Sequence, residues 1–193
     1  GTGTLEDNRA ALVGKLGENI TVRRWQRLEA EGTGFVHAYV HMGGKISVLV
    51  NVQLGDAAAA AKPELLKLVD DVAMQAAAMS PLFLSPEEVT AEAKASQSDI
   101  YNAQLAEEGK PEAARPKIVE GKLAKWMKEI CLLKQQSVFQ TEHTVEELVA
   151  NAAKAVGTTV AIKSFLRWER GEGIEKKKGD DFATEVAKMS AGS

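Results

Sequence analysis

Between Phe35 and Leu54 the chain reads FVHAYVHMGGKISVLVNVQL, and this stretch limits the fold more than any other. Ile46, Val48, Val50, Val52 and Leu54 alternate with Ser47, Leu49, Asn51 and Gln53. Side chains alternate faces along a strand, so the second arm is a strand with one buried face. The first arm alternates too. Val36, Ala38 and Val40 share one face, while Phe35, His37, Tyr39 and His41 form an unusual face of polar aromatics. Gly43 and Gly44 between the arms tolerate the positive φ that a tight turn needs. The stretch predicts an antiparallel hairpin with His41 at its tip.

The remaining elements follow from periodicity and caps. Leu5, Leu12 and Leu16 mark a helix that stops at Gly17. Residues 20–28 read as a strand carrying Arg23, Arg24 and Arg27. Those arginines form either a solvated face or a contact surface for an acidic partner. An Ala-rich link at 56–62 reads as a loop or a frayed helix start. Pro63 then opens a helix to Met79, with Leu65, Leu68, Val69, Val72 and Met79 in one stripe.

Ser85 and Pro86 read as the start of a polar helix whose small seam is Val89, Ala93, Ser96, Ile100 and Ala103. After Gly109-Lys110-Pro111 a second helix carries Val119, Leu123, Trp126, Ile130 and Leu133 at the same spacing. The two predict an antiparallel helical hairpin, too polar to sit inside a domain and so projecting from it. Trp126 and Met127 pack at its root or help a partner chain to dock.

Thr144 and Glu147 form a capping box for a helix ending at Gly157. Residues 158–169 alternate as a returning strand, with Val160, Ile162, Leu166 and Trp168 opposed to Lys163, Phe165 and Arg167. In the tail, Asp180 caps a short helix whose stripe is Phe182, Val186 and Met189. Such a short helix is marginal alone, so the stripe docks either on its own domain or on another protein.

The elements predict an α+β fold: a small antiparallel sheet packed with helices, an inserted helical hairpin and a C-terminal docking helix. The expected divisions are a core subdomain at 1–84 and 135–170, the arm at 85–134 and a C-terminal module at 171–193. A net charge of −3 gives no electrostatic case for direct nucleic-acid binding. No run in the sequence approaches a membrane span, and none is expected. The single Cys131 cannot form an internal disulfide and reads as an inert buried thiol, which fits a reducing compartment.

Catalytic patterns are missing. Gly43-Gly44-Lys45-Ile46 lacks the spacing of a phosphate-cradling loop, and no Gly-x-Ser-x-Gly elbow occurs. Cys131 and the histidines have no metal-ligand spacing. The expectation is a protein-binding role with no catalytic residue, metal or cofactor.

Five ordered blocks then carry a family resemblance: GENITVRR, YVHMGGKISVLV, DDVAMQAAAMSPLFLSPEEV, GKPEAARPKIVEGKLAKWMKEICLLKQ and FLRWERGEGIEKKKGDDFATEVA. From about Leu12 to Met189 the chain resembles elongation factor Ts. That resemblance implies a non-enzymatic guanine nucleotide exchange factor in translation, which binds elongation factor Tu and promotes GDP release. It implies a cytoplasmic location, with plastid stroma or mitochondrial matrix as alternatives. The hairpin resembles the C-terminal half of the family's core, which meets the third domain of elongation factor Tu. His41, Met42 and Gly43 at the tip, and Val145, match that contact region. Phe182, Val186 and Met189 resemble the C-terminal module that docks on the G domain. The helical hairpin resembles the family's coiled-coil arm, with Val119, Leu123, Trp126 and Ile130 serving the arm or a homodimer.

One departure matters. The family's core carries a Thr-Asp-Phe-Val motif whose Asp and Phe wedge near Mg²⁺, and this chain has no Thr-Asp-Phe. At the corresponding end of the hairpin stands Asn51-Val-Gln-Leu-Gly-Asp56. The chain is therefore expected to be a C-terminal portion of a longer factor, or a binder without efficient exchange. The rival expectation is an assembly module whose arm oligomerises or meets a replicase- or ribosome-type partner.

Overall fold

The computed structural model describes residues 3–174. The stripe of Phe182, Val186 and Met189, with most of the expected C-terminal module, lies outside the described residues. The fold is α+β. Its elements are α1 (Leu5–Leu16), β1 (Phe35–His41), β2 (Ile46–Leu54), α2 (Pro63–Met79), α3 (Ala91–Glu107), α4 (Arg115–Ile130), α5 (Val145–Val156) and β3 (Val160–Glu169). The sheet is antiparallel with β2 in the middle, between β1 and β3. Helices α2 and α5 pack on one face of it and on each other.

The alternation in β2 is the spine of the core. Val48, Val50, Val52 and Leu54 are all buried, and Ser47, Leu49, Asn51 and Gln53 face the other way. On α2, Leu65, Leu68, Val69, Val72, Ala73, Ala76 and Ala77 are buried against them. Small residues in that helix let it lie close to the sheet. Met79, expected in the stripe, is 49% exposed because the helix ends there, with Ser80 turning into the left-handed region at φ 49°. Gln75 is buried in its place.

The polar-aromatic face of β1 turns toward α2. Phe35 and Tyr39 pack on the core, opposite Val52 and Val48. His37 Nε2 lies 2.7 Å from Asp70 Oδ1, at ion-pair distance without an aligned hydrogen bond. The aliphatic face, Val36, Ala38 and Val40, looks outward, and Val40 is 62% exposed.

In β3 the register slips between Asn51 and Val52, leaving Lys163 as a bulged residue. A bulge inserts one residue and so exchanges the two faces beyond it. Ile162 is buried before the bulge, whereas Phe165 packs inward after it. Leu166 and Trp168 therefore leave the face of Ile162 that simple alternation gave them. They pair with Leu49 and Ser47 on the outer face.

Residues 20–28 are not a strand. The stretch pairs with neither edge strand, β1 or β3, and instead lies over the outer face as an irregular strap, with Arg24 over the Trp168 ring. It is tied by side chains. Asn51 Nδ2 donates to Glu29 O at 3.2 Å, and Thr33 Oγ1 donates to Leu54 O. The Ala-rich link is ordered as a turn of 3₁₀ helix, Ala57–Ala61, with Asp56 accepting from the Ala58 amide at 2.9 Å.

Helix α3 begins at Ala91, capped by Thr90, not at Ser85. Ser85 to Val89 form turns, and Glu88 is spent accepting from the Leu84 amide at 2.7 Å. The face that α3 turns to α4 also differs from the expected seam. Ser96, Ile100 and Ala103 are exposed, and Leu105 is buried at 1%. Tyr101 lies under Lys122 of α4, 5.4 Å from ammonium to ring centroid. Tyr101 and Leu105, at i and i+4, offer more apolar area than Ile100 and Ala103. On α4 four residues of the expected seam are covered, Val119 buried and Leu123, Trp126 and Ile130 half-buried, while Leu133 falls past the end of α4 and packs on the core. The arm's root is closed by backbone hydrogen bonds from Leu82 to Ile130, Leu132 to Phe83 and Leu133 to Leu84. Cys131 is buried there, and burial, followed by the nearby Glu87 and Glu88, pushes its thiol up.

Candidate functional site

The tip of the β1–β2 hairpin is built from five residues. His41 ends β1 in extended conformation, and Met42 to Gly44 form a single 3₁₀ turn. Met42, Gly43 and Gly44 have φ of 49°, 62° and 88°. That left-handed run is open to glycine but strained for methionine. The turn closes with the Lys45 amide donating to His41 O at 3.1 Å. Met42 is 67% exposed as a result, an apolar side chain held out on a strained backbone.

His41 lies on the face of β1 that points to the core, but beyond the core's edge, so it is exposed. Its ring stacks on Tyr39, with centroids 5.8 Å apart and planes 28° apart. Tyr39 Oη and His41 Nδ1 are 2.8 Å apart. A phenol donating to Nδ1 leaves Nε2 as the protonated nitrogen. Tyr39 is itself packed on the core, so it fixes the imidazole of an otherwise exposed residue.

The strap and the end of β3 meet beside the tip. Arg24 lies over the Trp168 ring at 4.9 Å and pairs with Glu172 at 2.9 Å. Arg23 donates to Glu172 O. The Glu172 carboxyl is held below the usual range by the Arg24 hydrogen bond and by the Glu169 amide. The Arg170 amide donates to Lys45 O at 2.8 Å, tying β3's exit to the tip. Among these parts lies a cleft of about 360 Å³, lined by Arg23, Arg24, Lys45, Ser47, Trp168 and Arg170 with neighbouring residues. Sequence reading did not single out Lys45, Trp168 and Arg170. They meet only through strand register; the arginines of residues 20–28 leave a solvated face and an acidic-partner surface open as alternatives.

Other expected positions fall apart from this cluster. Val145 is 2% exposed and packs in the core, so its side chain cannot be a partner contact. It is the first residue of α5, and the capping box of Thr144 and Glu147 around it is present. Val119, Leu123, Trp126 and Ile130 lie on α4, which packs on α3; Val119 is buried and the other three are half-buried. Among the described residues no group of three or more His, Cys, Asp or Glu could hold a metal ion. No described helix is long and apolar enough to cross a membrane.

The comparisons with known proteins agree with the sequence motifs. A family described as Elongation factor TS matches residues 1–172. An elongation factor Ts from Clostridium perfringens is 42% identical over 189 residues, covering 98% of this chain and 60% of that protein. One from Symbiobacterium thermophilum is 40% identical over 186 residues, covering 96% of this chain and 61% of that protein. One from Clostridium kluyveri is 41% identical over 190 residues, covering 98% and 60%. The chain thus spans about three fifths of the length of these relatives. With a match that covers nearly all of its residues, the chain belongs to the elongation factor Ts family.

Proposed function

We propose that this chain binds elongation factor Tu through the tip of the β1–β2 hairpin and, as a non-enzymatic factor, promotes GDP release in translation. The observation that carries the reading is the tip itself. His41 is exposed yet held by a core tyrosine, and Met42 is exposed on a left-handed backbone. A rigid exposed anchor costs little ordering on binding. His41, Met42 and Gly43 are the contact residues of this proposal, and Val145 is a core residue at the start of α5. Phe182, Val186 and Met189 supply a second, G-domain contact in the same proposal. The divisions proposed are a core at 1–84 and 135–170, an arm at 85–134 and a C-terminal module at 171–193. The arm is a self-contained hairpin in this reading, because Val119 is already buried at 5% exposure.

Exchange requires tighter binding to the nucleotide-free state than to the GDP state. This chain has no Thr-Asp-Phe-Val segment. A grip that holds both states equally shifts nothing, so the chain alone binds measurably and exchanges weakly. Binding to immobilised, GDP-loaded elongation factor Tu tests the grip. His41→Ala should weaken it about 10–100-fold, as truncation of a central anchor does. An unchanged affinity would sink the tip as the contact.

A further inference from the structure

We infer that the cationic cleft between the strap, the hairpin tip and the end of β3 is a second contact surface, which takes an acidic polypeptide segment of the protein engaged by the tip. The inference rests on the reading proposed above and adds a site to it. In a chain of net charge −3, the cleft gathers Arg23, Arg24, Lys45 and Arg170 around two acids among the described residues, Glu169 and Glu172.

The two acids are engaged inside the fold. Glu172 holds Arg24 at 2.9 Å. Glu169 holds Arg167 at 3.0 Å and stands 3.9 Å from Lys45. Arg24 is further committed to the Trp168 ring. Among the described residues of the cleft, the cations least committed are Lys45, with its side chain 47% exposed and only a long 3.9 Å pair to Glu169, and the exposed Arg170. Both are fixed by backbone, since the Arg170 amide bonds Lys45 O.

The cleft is continuous with the tip, because Gly44 and Lys45 belong to both. A partner seated on the tip can reach the cleft through Gly44 and Lys45. An acidic peptide fits better than single-stranded nucleic acid, whose bases need free aromatic faces to stack on. Trp168, the aromatic among the cleft's described lining residues, already has Arg24 over its ring, and the exposed Trp25 of the strap is not among them.

Charge complementarity at an exposed surface speeds association more than it slows dissociation. The test is stopped-flow association with elongation factor Tu at ~0.1 M and ~0.5 M salt. Lys45→Glu/Arg170→Glu should slow association roughly 10-fold at the lower salt and less than about 3-fold at the higher, as screening shortens the field's reach. Lys45→Gln/Arg170→Gln should fall between, and circular dichroism with urea midpoints confirms that both fold. Lys110→Glu/Lys117→Glu, the same charge change placed on the arm, should stay within about 2-fold of the parent.

His41→Ala should act instead on dissociation. If His41→Ala weakens binding while both cleft variants match the parent, the cleft proposal falls and the tip reading stands. Equal slowing by the cleft and arm pairs reduces the effect to net charge and overturns the cleft. So does binding of a labelled single-stranded oligonucleotide that cleft reversal abolishes while protein association is unchanged. If the parent chain forms no complex, both readings fall.

Discussion

Gln75 gives a prediction that can be worked from the structure. Its amide sits on the buried face of α2 at 1% exposure. Nε2 donates to Gln135 Oε1 and to Gln136 O, each at 3.1 Å, and Oε1 accepts from the Val138 amide at 2.9 Å. Gln135 Nε2 in turn donates to Glu129 O at 2.6 Å, at the end of α4. One buried side chain thus fastens the core helix to the segment that returns from the arm. Gln75→Leu keeps the volume and strands three partners. Gln135 Oε1 belongs to a residue only 2% exposed, and stranding it should cost about 1–3 kcal/mol. Gln136 and Val138 are exposed residues that water can reach, so each should cost only about 0.5–1 kcal/mol. Added apolar burial offsets roughly 1 kcal/mol. The net loss is about 1–4 kcal/mol, at roughly 2–4 °C in Tm per kcal/mol for a chain of this size. Urea denaturation and calorimetry measure it. A second substitution, Gln135→Leu, should then add less than its own single cost, because both ends of the bond are gone together. A Gln75→Leu loss below about 0.5 kcal/mol, or strict additivity, would refute the account of this network.

Further expectations are simpler. Thr144→Ala removes the hydroxyl that accepts from the Glu147 amide and should cost about 1 kcal/mol in urea denaturation. The Glu147 carboxyl is held below its ordinary 4.5 by its hydrogen bonds with the Thr144 amide and hydroxyl. A depressed carboxylate contributes stability above its unfolded pKa and loses it as pH falls through the folded one. The urea-midpoint difference between the parent and Glu147→Gln should therefore shrink below pH 4.5. Gly34→Ala would place a Cβ 2.6 Å from Val52 O, a backbone atom, and should cost about 1–3 kcal/mol by the same assay. His41→Ala touches no core contact and should change stability by less than about 0.5 kcal/mol while weakening partner binding.

Much of this arrangement was legible in the sequence where one strong pattern dominated. The buried face of β2, the stop of α1 at Gly17, the Pro63 start of α2 and the Thr144 capping box are local signals, and local chemistry decides them. The misreadings have nonlocal causes. A single bulged residue, Lys163, leaves no mark in composition, yet it turned Leu166 and Trp168 to the other face. The strap has strand-like composition but pairs with neither outer edge of the sheet, β1 or β3, and is held instead by side chains such as Arg24 over Trp168. Ser85-Pro86 carries helix-start chemistry, but Glu88 was drawn to the Leu84 amide and α3 began later.

The site divides the same way. Gly43 and Gly44 betrayed the turn, and the histidine pair on β1 drew attention to the tip. The split between those histidines needed the core's edge to be located. His37 sits over α2 beside Asp70, while His41 falls past the last packed layer. Lys45 and Arg170 are far apart in sequence, and only strand pairing makes them neighbours. Val145, matched to a contact position only by resemblance, has its side chain buried in the core.

The most direct test is stopped-flow release of fluorescent GDP from elongation factor Tu, with this chain compared against a full-length relative at saturating concentration. The account predicts a complex that forms and depends on His41, with release accelerated to no more than about a tenth of the full-length rate, as expected of a grip that binds both nucleotide states nearly alike. Release at the full rate, or no complex at all, would contradict it.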